Sequence, residues 1–269
     1  MIRAQRVPHN PKPNLRPSHR HSQRGATRGH AILWRIRGFV ALIVWRFGLI
    51  RMGKEATAYL CRAHRSLGRR YAVAKVYHER DRLNFKRAEA YREGTVILNG
   101  QVRRAMAKGT AFGQQAAAAL WVDREFDALS VLYDAGTDVP EPIACEGAVL
   151  LLEYVGTDDR PAPQLQQVRL DAGEATRVFE RLLWNVERWL AADYVHGDLS
   201  AYNILYDGRR AVVIDLPQAV DPRFAPASRK LLERDLANVG AYFRRYGIAF
   251  DAPAAAEDLW GRWKEGALR

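Results

Sequence analysis

The stretch that most constrains this chain is residues 194–205, YVHGDLSAYNIL. His196, Asp198 and Asn203 sit at fixed offsets in it, flanked by apolar residues. A second apolar run, residues 211–216 (AVVIDL), carries a single acid, Asp215. Polar and charged groups inside apolar runs are costly unless partners meet them, so a fold that buries both runs must bring these side chains to a shared polar place. An Asp, an Asn five residues later and an Asp on a strand shortly beyond form the set that holds an attacking group and a metal ion around a phosphoryl group.

Phosphoryl transfer is mostly positioning and charge neutralisation. Asp198 is placed to orient a hydroxyl or water and accept its proton. Asn203, through its amide oxygen, and Asp215, through its carboxylate, can ligate one cation. Few hard oxygen ligands beside a triphosphate suit Mg²⁺, or Mn²⁺ in its place. His196 is read as a brace that hydrogen-bonds the loop, and not as a group that titrates in the reaction.

Upstream residues supply what such a site needs. Residues 52–60 (MGKEATAYL) and 71–77 (YAVAKVY) read as strands, rich in β-branched and aromatic residues. The glycine turn Gly53, Lys54, Glu55, Ala56 can bring backbone N–H groups to phosphates. Lys75 lies in an otherwise apolar strand and needs an anionic partner. Glu125 is its natural partner, on a helix expected from about Gln114 to Ala135 and ended by Gly136. Leu120, Phe126, Leu129 and Tyr133 are expected to share that helix's buried side. Residues 138–143 read as a proline turn, and 148–156 as a buried strand at whose end the backbone of Glu153 and Val155 would meet an adenine. A helix over about 172–192 has the apolar stripe Phe179, Leu182, Leu183, Val186, Trp189 and Leu190. A hairpin turns at Asp207-Gly208 between strands at 204–206 and 211–216. Helices at about 228–246 and 253–264 follow.

The net charge of +12 at pH 7 is uneven: of 42 Lys and Arg, 11 fall within residues 1–52, where there is no Asp or Glu. The other 217 residues hold 31 basic and 30 acidic residues, so the folded part has no basic surplus that would mark it as a nucleic-acid binder. Residues 1–29 lack hydrophobic periodicity and are read as a disordered basic tail, either simply solvated or an arm for RNA or another anionic surface. Residues 31–52 are apolar but broken by Arg35, Arg37, Arg46 and Arg51, and too interrupted to span a bilayer. Such a basic, aromatic-rich stretch could lie on a membrane surface, and packing on the first lobe is the favoured expectation. Two distant cysteines, Cys61 and Cys145, give neither a disulfide framework nor a zinc site, which fits a reducing cytoplasmic compartment.

With these residues in view, the chain resembles the RIO family of atypical serine/threonine protein kinases from about Met52 to Gly247. Residues 53–56 (GKEA), 72–75 (AVAK), 84–87 (NFKR), 121–125 (WVDRE), 161–163 (PAP), 196–203 (HGDLSAYN), 214–219 (IDLPQA) and 232–236 (LERDL) carry the likeness. The resemblance implies an α+β, two-lobed kinase-like fold, with a small β-rich N-lobe over about 30–155 and a helical C-lobe over 156–269. It implies no activation segment or peptide-binding subdomains, and only 54 residues follow Asp215. It assigns Gly53 to Ala56 and Lys75 to ATP phosphates, Asp198 to catalysis, Asn203 and Asp215 to the metal, and makes Asp215 a candidate aspartyl-phosphate site in an ATPase cycle. It matches 93–113 to a flexible autophosphorylated loop, with Thr95 and Thr110 as hydroxyls. The acceptor would be a protein or ribonucleoprotein. One departure is Pro217, which stiffens the turn after Asp215 where a glycine would allow switching. A small-molecule or lipopolysaccharide kinase of the aminoglycoside-phosphotransferase type is the competing reading, since it too uses His-x-Asp with a later Asn and a metal Asp. The GKEA loop, the Ser200-Ala201-Tyr202 insert and the short C-terminal part favour the first.

Overall fold

A computed structural model describes residues 43–78, 104, 108, 110–158 and 160–268. The expectations for residues 1–29, for Thr95 and for most of 93–113 lie outside these residues. The first half of 31–52 is outside them too, but its second half is the strand β1, Ile43–Met52. The single strand expected over 52–60 is therefore two elements: β1 ends at Met52, a turn runs through Gly53, and β2 spans Ala56–Ala63. With β3 (Tyr71–Tyr77), β4 (Pro142–Glu146) and β5 (Val149–Glu153), these strands form an antiparallel sheet ordered β1-β2-β3-β5-β4. Strand β4 starts where a proline turn is expected, because Pro142 heads an outer strand and gives up no central ladder bond.

Alternation sorts the sheet's side chains. Thr57, Tyr59, Cys61 and Ala63 of β2 and Ala72, Ala74 and Val76 of β3 are buried on one face. The other face carries Val73, Lys75 and Tyr77, with Leu150 and Leu152 from β5. Tyr77, Leu150 and Leu152 join the main hydrophobic core, and Val73 packs against it. One cross-strand row on this face runs Arg51, Ala58, Lys75, Leu150.

Helix α1, Ala111–Asp134, starts where Thr110 accepts a hydrogen bond from Gly113 N–H at 3.1 Å, so the end of the expected loop is already helix. Its buried stripe is Val122, Glu125, Ala128, Leu129 and Leu132, rotated from the expected one. Tyr133 is 41% exposed, since it lies one residue past Leu132 and about 100° around the helix.

The helical part is built on α2, Ala172–Ala191, opened by a reciprocal capping box between Asp171 and Glu174. The expected stripe of α2 does face the core, with Leu183 at its partly buried edge. The short hairpin β6 (Ile204–Tyr206) and β7 (Ala211–Val213) lies beside it, followed by α3 (Ser228–Phe243) and α4 (Ala252–Lys264). A 3-10 turn extends α3 until Gly247, whose φ of 79° stops the helix. Phe179 of α2 packs against Phe243 and Phe250 at ring separations of 5.3 and 5.1 Å, locking α2 to the end of α3. Trp189 is buried, and its indole N–H donates to Thr137 Oγ1 at 3.0 Å, tying α2 to the chain that leads into the sheet. Trp189→Ala should therefore lower the unfolding free energy by about 3–5 kcal/mol, read from the urea midpoint at constant slope.

Candidate active site

Lys75 on β3 and Glu125 on α1 face each other across the sheet–helix contact. The Lys75 ammonium donates to Glu125 Oε1 at 2.7 Å, to Oε2 at 2.9 Å and to Asp215 Oδ1 at 2.7 Å. Burial alone would push the Lys75 pKa down, but Glu125, with Tyr77 and Asp215, outweighs it and holds the ammonium well above its ordinary value. Glu125 is 1% exposed and also accepts the Tyr77 hydroxyl at Oε2 and the Leu216 N–H at Oε1, 3.1 Å. Burial and the Glu125 carboxylate raise the Tyr77 pKa well above normal, so the phenol stays protonated as a donor.

Asp215 does not lie on a strand as expected. Strand β7 ends at Val213, and Asp215 sits two residues beyond it with φ 72°, a left-handed conformation that aims its half-exposed carboxylate at Lys75. The Lys75 charge holds that carboxyl below its usual range.

Asp198 and Asn203 of the 194–205 loop form a second group. Asn203 Nδ2 donates to Asp198 O at 2.9 Å and to Asp198 Oδ2 at 3.3 Å. The amide nitrogen is thus committed, and Oδ1 is the atom of Asn203 suited to a cation. With the Asp215 carboxylate it makes a set of hard oxygen donors that fits Mg²⁺. Among the described residues no cluster of three or more His, Cys, Asp and Glu side chains could hold a metal by itself.

His196 joins the two groups. It is buried, Asp198 N–H donates to its Nδ1 at 3.2 Å, and its Nε2 faces Ile214 O at 3.4 Å. A carbonyl can only accept, so Nε2 carries the proton and Nδ1 the lone pair. Burial lowers the His196 pKa, in keeping with a neutral brace. Ile214 N–H donates back to Asn203 O at 2.8 Å, which fixes Asp215 relative to Asn203.

The Gly53–Ala56 turn is closed by Gly53 N–H to Ala56 O at 2.9 Å. His78, which the residue pattern did not single out, latches it. Its N–H donates to Glu55 O at 2.9 Å, its Nδ1 meets Lys54 O at 3.2 Å, and its Nε2 pairs with the Thr57 hydroxyl at 2.7 Å. Glu153 and Val155 lie past this cluster at the end of β5. The Glu153 side chain pairs with Arg210, its N–H donates to Glu141 O at 2.9 Å, and Val155 O accepts Ala162 N–H at 3.0 Å. Glu153 is opposite Ala72 on β3, three residues before Lys75.

Asp235 on α3 is the other residue left without a role by the sequence. Its carboxylate accepts Gly197 N–H at 2.7 Å and Leu199 N–H at 3.0 Å, holding the backbone on both sides of Asp198, and Arg234 donates to Gly197 O. The available signal was its place between Leu232, Leu236 and Val239 on the buried stripe of α3. Gly197 itself has φ 78°, and a Cβ there would lie 2.6 Å from Gln218 O, so only glycine fits.

An antiparallel five-stranded sheet with one long helix, over a helical part whose loop presents His196, Asp198 and Asn203, defines a protein-kinase-like fold. The RIO domain family model matches residues 59–255. The chain is 38% identical over 132 residues to the RIO-type serine/threonine-protein kinase Rio1 of Thermoplasma acidophilum, covering 49% of this chain and 68% of that one. It is 31% identical over 203 residues to the human serine/threonine-protein kinase RIO1, covering 75% of this chain and 34% of that one. In fold it is similar to the Rio2 kinase–ADP/Mg²⁺–phosphoaspartate complex from Chaetomium thermophilum, with a TM-score of 0.61 at 19% identity over 85% of this chain and 66% of that one. The chain belongs to the RIO family of serine/threonine-protein kinases. It spans about a third of the human relative's length.

Burial raises the Asp235 pKa to about 7, against the two N–H bonds and Arg234, which pull it down. The folded protein therefore binds a proton that the unfolded chain releases near pH 4. The stability this gives is present below pH 4 and lost as pH rises through about 7. Between pH 5 and 8 wild type should lose on the order of 1–3 kcal/mol relative to Asp235→Asn in urea titrations. A wild-type-minus-Asn difference that is flat with pH would contradict this.

Proposed function

We propose that this chain binds ATP with Mg²⁺, or Mn²⁺ in its place, and transfers the γ-phosphoryl group as a serine/threonine kinase with an ATPase side reaction. The observation that carries the reading is the Lys75 ammonium held between Glu125 and Asp215, beside the loop that locks Asn203 onto Asp198. Asn203 Oδ1 and the Asp215 carboxylate would hold the metal, which supplies charge neutralisation at the phosphates. Glu153 and Val155 take the adenine side, and Gly53, Lys54, Glu55 and Ala56 the phosphate side. Asp198 orients an acceptor hydroxyl and takes its proton as the oxygen–phosphorus bond forms and ADP leaves. With no acceptor in place, an Asp215 carboxylate oxygen can attack the same phosphorus, and water then hydrolyses the acyl phosphate. The phosphoaspartate of the Rio2 complex and the half-exposed Asp215 carboxylate support this branch. The acceptor is a protein or a ribonucleoprotein, and the free thiols Cys61 and Cys145 suit a reducing compartment such as the cytoplasm.

Incubation with γ-labelled ATP and Mg²⁺ should label the protein or consume ATP, and Asp198→Ala should reduce turnover by about 10²–10⁴-fold. Label on Asp215 should be released by hydroxylamine and be missing in Asp215→Asn, while label on serine or threonine survives. Wild-type turnover in Asp198→Ala would sink the assignment.

A further inference from the structure

Lys75 is fully engaged. An ammonium has three N–H donors, and Lys75 directs them at three carboxylate oxygens within 2.9 Å. It cannot take a phosphate oxygen without releasing Glu125 or Asp215. If Asp215 holds the metal, Lys75 regains one N–H, a single donor for a triphosphate whose remaining terminal oxygens can take a further cation.

The sheet register supplies one. Arg51 is opposite Ala58, and Ala58 is opposite Lys75. Opposed residues of antiparallel strands project from one face, so Arg51 and Lys75 share the face that looks onto Glu125 and Asp215. Two strand spacings of roughly 4.8 Å separate them, a gap an Arg side chain can span. Arg51 is exposed, two residues before Gly53, and its charge reaches the cluster: after Lys75 and His196 it helps hold the Asp215 carboxyl low. Its planar fork can take two oxygens of one phosphate, which an ammonium cannot.

We propose that Arg51 is the second phosphate-binding cation of this site and meets the terminal phosphate of a nucleoside triphosphate lying between the Gly53–Ala56 turn and Asp215. This rests on the ATP-binding reading of the site. Arg51 reaches over from the outer strand and leaves Lys75 in its pairing with Glu125.

Calorimetric titration of the full chain with Mg-ATP, Mg-ADP and AMP separates the outcomes. Arg51→Ala should weaken ATP about tenfold or more, ADP less than threefold, and AMP not at all. Arg51→Lys should recover part of the ATP loss, and the gap between ATP and ADP in wild type should narrow as salt rises. Equal weakening of all three nucleotides, or unchanged affinities in Arg51→Ala, overturns the role of Arg51. No ATP binding by the unaltered chain overturns the reading of the site itself.

Discussion

Glu125 is the junction on which the arrangement depends. One carboxylate, almost wholly removed from water, accepts from Lys75 and Tyr77 on β3 and from the Leu216 backbone beyond β7. It joins the sheet, α1 and the segment that carries Asp215. A buried carboxylate with fewer donors would be strongly destabilising, so helix and sheet can reach this state only together. Removing any one partner leaves the others around an under-satisfied charge. The lobes are thus registered to each other by a charge that tolerates few alternative positions.

The loop around Asp198 is held by a different device. Its backbone N–H groups at Gly197 and Leu199 point into the protein and find Asp235, while Arg234 and Asn238 take the carbonyls of Gly197 and Leu199. His196 ties the same loop to Ile214. The Asp198 side chain stays partly exposed while the backbone on both sides of it is anchored from below.

Much of this was legible in the residues. The polar set in 194–205, the lone lysine in YAVAKVY and the helix acid were each visible as polar groups among apolar ones, and the structure places Lys75, Glu125 and Asp215 in contact. The stripe of α2 was clear because its period runs unbroken from Phe179 to Leu190, about three turns. Three things were not legible. Strand β1 was hidden by its two arginines, Arg46 and Arg51, since an outer strand can expose charges that obscure alternation. Tyr133 looked buried because an aromatic near the end of a helix fits an apolar stripe at several rotations, and only the packing against β4 and β5 picks one. His78 and Asp235 act through backbone groups 23 to 38 residues away in sequence, and no local pattern encodes such pairs.

The left-handed backbone at Asp215 narrows which substitutions this position can absorb during evolutionary drift. Most side chains there add about 1 kcal/mol or more of steric cost before any chemistry is considered, whereas Asn and Gly accept the conformation readily. A lineage that lost the carboxylate while keeping its fold would pass most cheaply through one of those two. The backbone thereby filters the genetic routes by which this carboxylate can be lost, independently of what it does.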